Sequence, residues 1–343
     1  MCAPLGLPAS IIKWIQSYMT DRTMIVRCNN SISHSKAVKL GVPQGSVLRP
    51  LLFLLYENDL PQYLENVHVT MFADDTTITI SDQDAEQLAV KLKMIVNIFS
   101  SWCQRNKLIL NTSKSVIVKF FHRKLLPNEL FVIDDIQPSM ETKFLGTHLD
   151  ESINWGRHIE SVCSKLNKAY FAIKHMKSTM NIAGLLSIYY AMAYAHINMN
   201  ILAWGRAREF LRVFVSQKRL VRLIFNLNYQ DSCRSIFKEN KILTVPAVYI
   251  FRCIIFAKQN IDNYSCNSEK HEYNTRHGNL LKIPKHRTTF YERSPDYNAI
   301  IYYNKLPESL KRTGSNIIFQ KKVKDLLLEK CYYSFQEFLD DNF

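Results

Sequence analysis

Residues 67–80 read VHVTMFADDTTITI and place two adjacent acids, Asp74 and Asp75, between two runs of apolar and β-branched residues. Such runs favour strands, whereas aspartate is rare inside a strand and common in tight turns. The stretch therefore predicts a β-hairpin with both carboxylates at its tip. Adjacent carboxylates repel each other unless a cation lies between them, and Mg²⁺ accepts carboxylate oxygens while leaving room for substrate phosphates. For this motif alone, the alternative is an exposed acidic turn without a ligand.

A second motif lies upstream of the hairpin, where residues 41–48 read GVPQGSVL. Its two glycines and its proline predict an irregular backbone that can approach another molecule closely. We expect Ser46 to cap a helix that runs through residues 51–55. A loop that offers bare backbone and the Gln44 amide at a helix start suits a nucleotide or its phosphates. Alone, such a segment is more often an ordinary connection between a loop and a helix.

Together, GVPQGSVL and FADD resemble the palm of reverse transcriptases, in particular those of jockey-like retrotransposons, which lack long terminal repeats. The resemblance implies an RNA-directed DNA polymerase, in which a primer 3′-hydroxyl attacks the α-phosphate of an incoming deoxynucleoside triphosphate. It implies an RNA template and a DNA primer as partners, and Mg²⁺ or Mn²⁺ as the cofactor. Asp74 and Asp75 would be the catalytic metal ligands. The residues implied in nucleotide and template contact are Gly41, Pro43, Gln44, Gly45 and Ser46.

Two later segments resemble further motifs of the same family. The phrase LNTSK ends at Lys114, which the resemblance implies near the leaving pyrophosphate as an electrostatic stabiliser or proton donor. The alternative for Lys114 is a solvated lysine at the entrance of a strand. Phe144, Leu145 and Gly146 resemble the primer grip, where a glycine lets the backbone approach the growing strand.

The segment around the primer-grip motif is expected to form two strands, residues 131–136 and 143–149, joined by a turn at Pro138. The first of them contains a second acid pair, Asp134 and Asp135. No glycine-rich loop precedes this pair at a matching distance, so we interpret it as a solvated turn rather than the metal site.

Polymerases of this family also need an aspartate on a neighbouring strand, upstream of the glycine-rich motif. In residues 1–56 the only carboxylate is Asp21, in a phrase that does not match that motif. Two Mg²⁺ ions repel each other strongly, and the missing aspartate would bridge them and fix their spacing. We therefore expect an N-terminally truncated fragment that polymerises poorly or not at all. Arg49 and Glu57 also depart from the family pattern, the latter at a position that is normally apolar.

Helical patterns dominate after the hairpin. Residues 84–107 carry apolar side chains at alternating steps of three and four, which predicts a long helix covering the palm sheet. Beyond residue 150 similar stripes recur, with a third helix at residues 213–227. The first two stripes consist of Ile159, Val162, Leu166, Ala169 or Tyr170, and Ile173, and of Leu185, Ile188, Met192, Ala195 and Met199.

These patterns predict an α+β protein of three regions. Residues 1–150 would form a partial polymerase palm with an antiparallel sheet and packed helices. Residues 151–230 would form a mainly helical, thumb-like region that grips a duplex by its phosphates. Residues 231–343 would form a basic C-terminal region of unknown role. An ordinary helical bundle with a solvated basic face is the alternative for the thumb.

The composition bounds the class of protein. With 343 residues, 47% of them hydrophobic, the chain can bury a sizeable core, which excludes wholesale disorder. The net charge of +14 favours a polyanionic partner, although charge alone also fits a ribosomal or membrane-surface protein. Eight cysteines without a CxxC pair predict reduced thiols and an intracellular protein, nuclear or cytoplasmic and not secreted.

Two other features were weighed as functional signals. The group Cys266, His271 and His277 lacks a fourth ligand at zinc-knuckle spacing, so we do not assign a metal to it. The most apolar window, residues 185–204, is interrupted by a histidine and two asparagines, which argues against a membrane span.

Two alternatives to the polymerase fragment stay open. The chain could be a non-catalytic nucleic-acid-binding protein derived from a retroelement. It could also fail to accumulate, because half a palm leaves an unpaired sheet edge that is liable to aggregate.

Overall fold

The hairpin predicted from residues 67–80 is present in the computed structural model, which describes residues 6–120, 131–133, 136–266 and 280–342. Contacts divide the chain into a first unit, Met1–Lys119 with Arg123–Ser139, and a second unit, Phe120–His122 with Met140–Phe343. Both units contain helices and short strands, so the predicted α+β class is confirmed.

The first unit is built from short strands and four described helices of very different lengths. In chain order its described elements are α1 (Ala9–Met19), β1 (Thr23–Met24), β2 (Arg27–Cys28), β3 (Ser31–Ile32), β4 (Lys36–Ala37), α2 (Arg49–Glu57), α3 (Leu60–Tyr63), β5 (His68–Phe72), β6 (Asp75–Thr79), α4 (Ala85–Arg105), a 3₁₀ turn at Thr112–Lys114, β7 (Ile117–Val118) and β8 (Pro138–Ser139).

The second unit is mainly helical and begins with a hairpin. Its described elements are β9 (Glu141–Phe144), β10 (Thr147–Asp150), α5 (Gly156–Met176), α6 (Ile182–Tyr189), a π-helix at Tyr190–Tyr194, α7 (Ala195–Asn198), α8 (Ile201–Trp204), α9 (Phe210–Phe225), α10 (Arg234–Glu239), α11 (Val245–Gln259), a 3₁₀ turn at Ile261–Asn263, α12 (Thr289–Glu292), α13 (Pro295–Lys305), α14 (Glu308–Lys311), α15 (Asn316–Lys330) and α16 (Phe335–Asp340).

Every sheet in the described part of the chain has only two strands. The pairs β1–β4, β2–β3, β5–β6 and β9–β10 are antiparallel, and β7–β8 is parallel. Within the described residues, the antiparallel pairs of the predicted palm therefore form separate two-stranded ribbons rather than one sheet, and the hairpin β5–β6 is the longest of them.

The core of the first unit lies between this hairpin and α3 and α4. Because side chains alternate along a strand, one face of the hairpin presents apolar residues and packs on the helices. The predicted long helix is confirmed as α4, which starts where the Asp84 carboxylate accepts a hydrogen bond of 3.0 Å from the Gln87 N–H. The buried centre of this core consists of Leu60, Leu64, Ile95, Trp102 and Cys103.

Helix α1 shows how little of the first unit is enclosed. Its sequence predicts an amphipathic helix, and the helix forms, yet none of its residues is buried. Trp14 is 55% exposed and, among the described residues, its ring stacks on Tyr18 alone, with 6.1 Å between ring centroids. The apolar face of α1 therefore contributes little to the core among the described residues.

The second unit has one large core shared by the helices from α5 to α16. Residues 151–230 and 231–343 both contribute to it, so the two regions have a common interior. Helix α11 lies at its centre with Tyr249, Ile250 and Ile254 fully buried. Among the described residues, no helix is long and apolar enough to cross a lipid bilayer.

The predicted stripe on α5 is confirmed, but the second stripe is wrong beyond its first two residues, Leu185 and Ile188, which both pack on the core. Leu185, Tyr189, Ala193 and Ile197 are the buried positions, whereas Met192 and Met199 are more than a third exposed. The cause is the π-helix at Tyr190–Tyr194, whose wider turn lets residues four apart stay on one face. A regular α-helix would have alternated steps of three and four.

The described cysteines form no disulfide. Of the group weighed as a zinc site, Cys266 is half-buried, while His271 and His277 lie outside the described residues. The second acid pair, Asp134 and Asp135, also lies outside them.

Candidate functional site

The two aspartates of the FADD motif lie at the tip of the β5–β6 hairpin. Phe72 pairs with Asp75 in the register of the two strands, so Ala73 and Asp74 form a two-residue loop. Ala73 has a φ of +52°, the left-handed conformation that tight hairpin turns require. Asp74 is thus in the loop itself and Asp75 is the first residue of β6. Both side chains are exposed to solvent.

The two faces of the hairpin differ in chemistry. Val69, Met71 and Ile78 pack on the core, whereas Thr70 and Phe72 are exposed on the opposite face. Asp75 pairs with Phe72 and shares this exposed face, because paired residues of a hairpin point to the same side. A polymer could therefore reach the Asp75 carboxylate without disturbing the core.

The donor set at the tip fits one hard cation. Exposed carboxylate oxygens are the ligands that Mg²⁺ and Mn²⁺ accept, and two adjacent ones leave most of the coordination shell to water and substrate. Among the described residues, no group of three histidine, cysteine, aspartate or glutamate side chains is arranged to hold a metal. Asp21, the only acid near the N-terminus, lies in the turn after α1 with a φ of +53°.

Glu57 is an unexpected acid beside this site. It lies at the C-terminal end of α2, is only 6% exposed, and its Oε2 atom has no hydrogen-bond partner among the described residues. Burial, and secondarily the nearby charge of Asp74, raise the pKa of Glu57 to about 7. The sequence had marked Glu57 only as an acid at a normally apolar position. Its burial follows from that apolar environment.

The GVPQG loop has the irregular backbone that its glycines predict. Gly41 and Gly45 have φ angles of +76° and +78°, and open space surrounds the position of a Cβ at either residue. Gln44 is exposed, and Pro43 is half-buried. The loop therefore presents bare backbone and an amide to solvent.

The expected role of Ser46 as a helix cap is wrong. Its hydroxyl donates to the Pro43 carbonyl at 3.0 Å, which closes the loop on itself. Helix α2 starts at Arg49 after Leu48, with no side-chain cap, and Pro50 lies in its first turn. Because proline has no N–H, it leaves one fewer donor to be capped at the helix start.

A side chain that the sequence did not single out anchors this loop. The Arg22 guanidinium donates to the Gly41 carbonyl at 2.6 Å and to the Met19 carbonyl at 3.2 Å. It thereby ties the start of the loop to the end of α1. The sequence signal for this anchor was an arginine placed directly after the end of a helix. That signal does not identify the partner of Arg22, because Gly41 is distant in sequence.

Lys114 is exposed at the end of a 3₁₀ turn that precedes β7. Asn111 shapes this turn, since its side-chain oxygen accepts from the Lys114 N–H at 3.2 Å and from the Ser113 hydroxyl at 2.7 Å. Among the described residues, neither Lys114 nor Gln44 makes a hydrogen bond or ion pair to Asp74 or Asp75. Lys114 has no ion-pair partner there and keeps its charge available.

The primer-grip motif forms a turn rather than part of a strand, so the expectation of one strand over residues 143–149 is wrong. Leu145 and Gly146, with φ angles of +44° and +82°, reverse the chain between β9 and β10. The left-handed conformation of two successive residues ends the strand at Phe144. A Cβ at Gly146 would collide with the terminal methyl of Met199, so the space left by this glycine is taken by a side chain of the second unit.

The basic residues of the predicted thumb lie on α5 and α9, which pack against each other. Several of them contact aromatic rings: the Arg219 guanidinium lies 4.1 Å from the centroid of Tyr170, and Lys218 lies 4.8 Å from that of Phe214. Arg219 and Lys168 are nevertheless exposed and available to an external anion.

Comparisons with known proteins identify related sequences. Residues 4–149 match the family model described as reverse transcriptase (RNA-dependent DNA polymerase). The chain is 28% identical over 251 residues to the "Probable RNA-directed DNA polymerase from transposon X-element" of Drosophila melanogaster, covering 70% of this chain and 27% of that protein. It is 28% identical over 256 residues to the corresponding protein from transposon BS of the same species, covering 69% and 28%.

A third relative is the RNA-directed DNA polymerase from the mobile element jockey of D. melanogaster, 26% identical over 163 residues, which are 45% of this chain and 18% of that protein. No solved structure matches the chain. The chain spans little more than a quarter of the length of the X-element and BS polymerases. Its hairpin with paired acids and its glycine-edged loop both fall within the matched residues 4–149. Those residues match the reverse transcriptase family, and the similarity to the X-element, BS and jockey polymerases supports a jockey-like reverse transcriptase from the retrotransposons without long terminal repeats.

Proposed function

We propose that this chain is part of an RNA-directed DNA polymerase, with the hairpin tip as its metal site and the second unit as a grip on nucleic acid. The observation that carries the proposal is the exposed pair Asp74 and Asp75 at the end of a hairpin, within the segment related to reverse transcriptases. The reaction would join a primer 3′-hydroxyl to the α-phosphate of a deoxynucleoside triphosphate, copying an RNA template.

Asp74 and Asp75 would hold Mg²⁺, or Mn²⁺, and the bound ion would offset charge on the triphosphate and favour loss of the primer hydroxyl proton. The two aspartates differ in freedom. The backbone of Asp75 is fixed by its pairing with Phe72, whereas Asp74 lies in the loop. The Asp75 carboxylate would therefore have a fixed orientation toward the metal ion. The Asp74 carboxylate would change its position to complete the coordination.

The loop at residues 41–46 would contact the nucleotide and the template. Gly41 and Gly45 leave open space at their Cα atoms, so a base or sugar could lie directly against the backbone. Gln44 would donate from its exposed amide. Pro43 and Ser46 would hold the loop in shape through their mutual hydrogen bond.

Positive charge would act at two further places. Lys114 would stabilise the leaving pyrophosphate, since it is exposed and has no ion-pair partner among the described residues. The exposed basic residues of α5 and α9 would give residues 151–230 a thumb-like role on the phosphates of the duplex. The turn at Phe144, Leu145 and Gly146 would contact the primer. We place the protein inside the cell, in the nucleus or the cytoplasm, because the described cysteines form no disulfide.

Two carboxylates alone would hold one metal weakly and would not support two metals, because nothing among the described residues bridges a second ion. We therefore expect weak polymerisation or none from this chain alone. A primer-extension assay with Mg²⁺ and an RNA template tests this. Robust primer extension by the unmodified chain would contradict the expectation of an impaired enzyme. Loss of that extension in Asp74→Asn would at the same time support Asp74 as a metal ligand.

Metal binding tests the site independently of catalysis. Titration with Mn²⁺, followed by its electron paramagnetic resonance signal, should show one site that is lost in Asp74→Asn and weakened in Asp75→Asn. Asp325→Asn, an exposed aspartate of α15, is the matched control and should bind like the unmodified chain. Equal affinity of all four proteins would remove the hairpin as the metal site.

A second candidate function is binding of nucleic acid without catalysis. It is favoured by the net charge of +14 together with the lack of a three-acid group among the described residues. Under this function, affinity for RNA should fall steeply with salt and be unchanged in the Asp74→Asn, Asp75→Asn double variant. A dependence of RNA affinity on the two aspartates would argue against it.

A further inference from the structure

A cavity of about 240 Å³ opens on the second unit, where the segment between α8 and α9 meets the start of α16. It is lined by two arginines, Arg206 and Arg208, by Phe210 at the start of α9, and by Ser334 and Phe335. This cavity belongs to none of the motifs shared with reverse transcriptases, and it lies beyond the matched residues 4–149. Its lining combines positive charge with aromatic walls.

Arg206 lacks the partners that a confined guanidinium normally has. The guanidinium lies 4.9 Å from the ring centroid of Phe335, and its Nε atom is buried without a hydrogen-bond partner among the described residues. Buried donors in folded proteins are nearly always paired with protein or with another molecule. A positive group held in this way at the wall of a cavity therefore indicates an anion that comes from outside.

The acids closest in sequence are engaged elsewhere. Glu209, next to Arg208, pairs with Arg212. Glu337, in α16, accepts two hydrogen bonds from Arg234, at 2.9 and 3.1 Å, and one from the Tyr333 N–H. Neither carboxylate is left to neutralise the two arginines of the cavity.

The polar groups on the buried side of Arg206 are neutral. Burial raises the pKa of the Tyr302 phenol and of the Cys253 thiol, and the charge of Arg206 lowers each only in part. Both groups are uncharged at neutral pH. The positive charge of Arg206 thus meets no opposite charge within the described part of the chain.

The geometry favours a phosphate over a base as the ligand. Phe335 already contacts the Arg206 guanidinium and the Phe210 ring, whose centroid is 5.0 Å away, so this ring is engaged within the protein. Phe210 and Leu211 start α9, a helix of 16 residues, and the positive end of its dipole faces the same cavity. Two guanidinium groups and a helix start together match a phosphate, which accepts several hydrogen bonds at once.

We infer that this cavity binds a backbone phosphate of a polynucleotide, through Arg206 and Arg208. The inference rests on the proposed function in one respect, namely that the chain binds nucleic acid. It adds a contact in the region after residue 150 that the family motifs do not assign. A free nucleotide could offer the same phosphate chemistry, and the experiment separates the two sources.

The test measures affinity for a fluorescein-labelled single-stranded RNA by anisotropy at several salt concentrations. Arg208→Gln is the main variant, because Arg208 is exposed and its loss should not disturb folding. Arg312→Gln, an exposed arginine of the same unit, is the control with the same charge change. Arg206→Lys keeps the charge and removes the planar donor set.

We expect Arg208→Gln to weaken RNA binding about fivefold more than the control does and to reduce the salt slope by about one. Hydrogen exchange of residues 206–212 should slow on RNA binding in the unmodified chain. If that chain binds no RNA, the proposed nucleic-acid function fails. If it binds and Arg208→Gln behaves like Arg312→Gln without protection of residues 206–212, the cavity assignment fails. If deoxycytidine triphosphate binding depends on Arg208 while RNA binding does not, the polynucleotide assignment is overturned in favour of a free nucleotide.

Discussion

The two units of this chain pack their apolar residues in opposite ways. In the second unit Trp204 and Tyr249 are completely buried, and α11 is covered on nearly all sides. In the first unit Val47 is 95% exposed and Trp14 is 55% exposed, while the buried cluster at the contact of one hairpin with α3 and α4 has only five buried members among the described residues. Both units are rich in apolar residues. The number of apolar residues therefore does not determine what fraction of them is buried.

The difference lies in the elements. Long helices can bury a stripe against several neighbours at once, as α5, α9 and α11 do. Two-residue strands such as β1–β4 and a two-stranded hairpin can cover at most one face. The first unit should therefore open more readily than the second, since local stability follows buried apolar contacts. The following predictions test that contrast, from the largest expected effect to the smallest.

Matched isoleucines in the two cores should give the largest difference. Ile254→Ala on α11 should cost about 4 kcal/mol of unfolding free energy, because a cavity in a fully enclosed core cannot collapse. Ile95→Ala on α4 should cost only about 2 kcal/mol, since the thinner core around it can relax. Urea denaturation with hydrogen exchange of each helix measures both. Equal losses would show that the first unit is as tightly packed as the second.

Acid should destabilise the second unit through His158. This side chain is 2% exposed beside Trp204, and burial, with the charges of His148 and Lys165, lowers its pKa to about 4. Between pH 6.5 and 4 the unfolded chain therefore binds more protons than the folded one, so unfolding free energy falls on acidification by about 3 kcal/mol. His158→Gln should flatten this slope, measured by urea denaturation at stepped pH, whereas exposed His175→Gln should leave it unchanged.

Glu57 should destabilise the first unit in the opposite pH range. Because its folded pKa of about 7 lies above the unfolded value, stability is greatest below pH 4.5 and is lost as pH rises through 7. Glu57→Gln, measured in a chelator, should raise unfolding free energy by about 2 kcal/mol at pH 8 and change little at pH 5. Glu65→Gln, an exposed acid, should do neither. An equal gain in unfolding free energy at both pH values would show that Glu57→Gln acts through packing rather than through loss of the charge.

Two glycines with the same backbone angle should give the smallest effect and separate strain from packing. Gly45→Ala and Gly146→Ala both place a Cβ on a residue with φ near +80°, which costs about 1 kcal/mol. Only Gly146→Ala also meets Met199, whose flexible end can move aside at a small further cost. Thermal unfolding of both variants tests this. A Gly146→Ala variant no weaker than Gly45→Ala would mean that Met199 does not confine the turn.

The parts of the fold that sequence could predict were those with a local cause. The hairpin follows from β-branched runs interrupted by Asp74 and Asp75, and α4 follows from its apolar spacing and the Asp84 cap. The positive φ angles of Gly41 and Gly45 follow from the need for glycine in an irregular loop.

The parts that could not be predicted depend on distant partners. Ser46 bonds the Pro43 carbonyl rather than a helix N–H, and Arg22 bonds Gly41 across 19 positions of sequence. The turn at Leu145 and Gly146 competes with a strand pattern that looks continuous by apolar content. The buried Nε of Arg206, which has no hydrogen-bond partner among the described residues, cannot be recognised until the neighbours of Arg206 are known.

The π-helix at Tyr190–Tyr194 makes the response of this chain to insertions and deletions asymmetric at one point. The helical segment from α6 to α7 accommodates one residue more than a regular α-helix would. Loss of a single codon here would let the segment relax to regular geometry with α7 in its present orientation, because the buried positions Leu185, Tyr189, Ala193 and Ile197 would then be separated by steps of four, three and four. Gain of a codon would instead rotate α7 by about 100°. Ile197 would leave the core, and Asn198 would lose the 2.8 Å bond that it accepts from Arg252. Copies of the element should therefore tolerate the loss of one residue between positions 190 and 194 better than the gain of one.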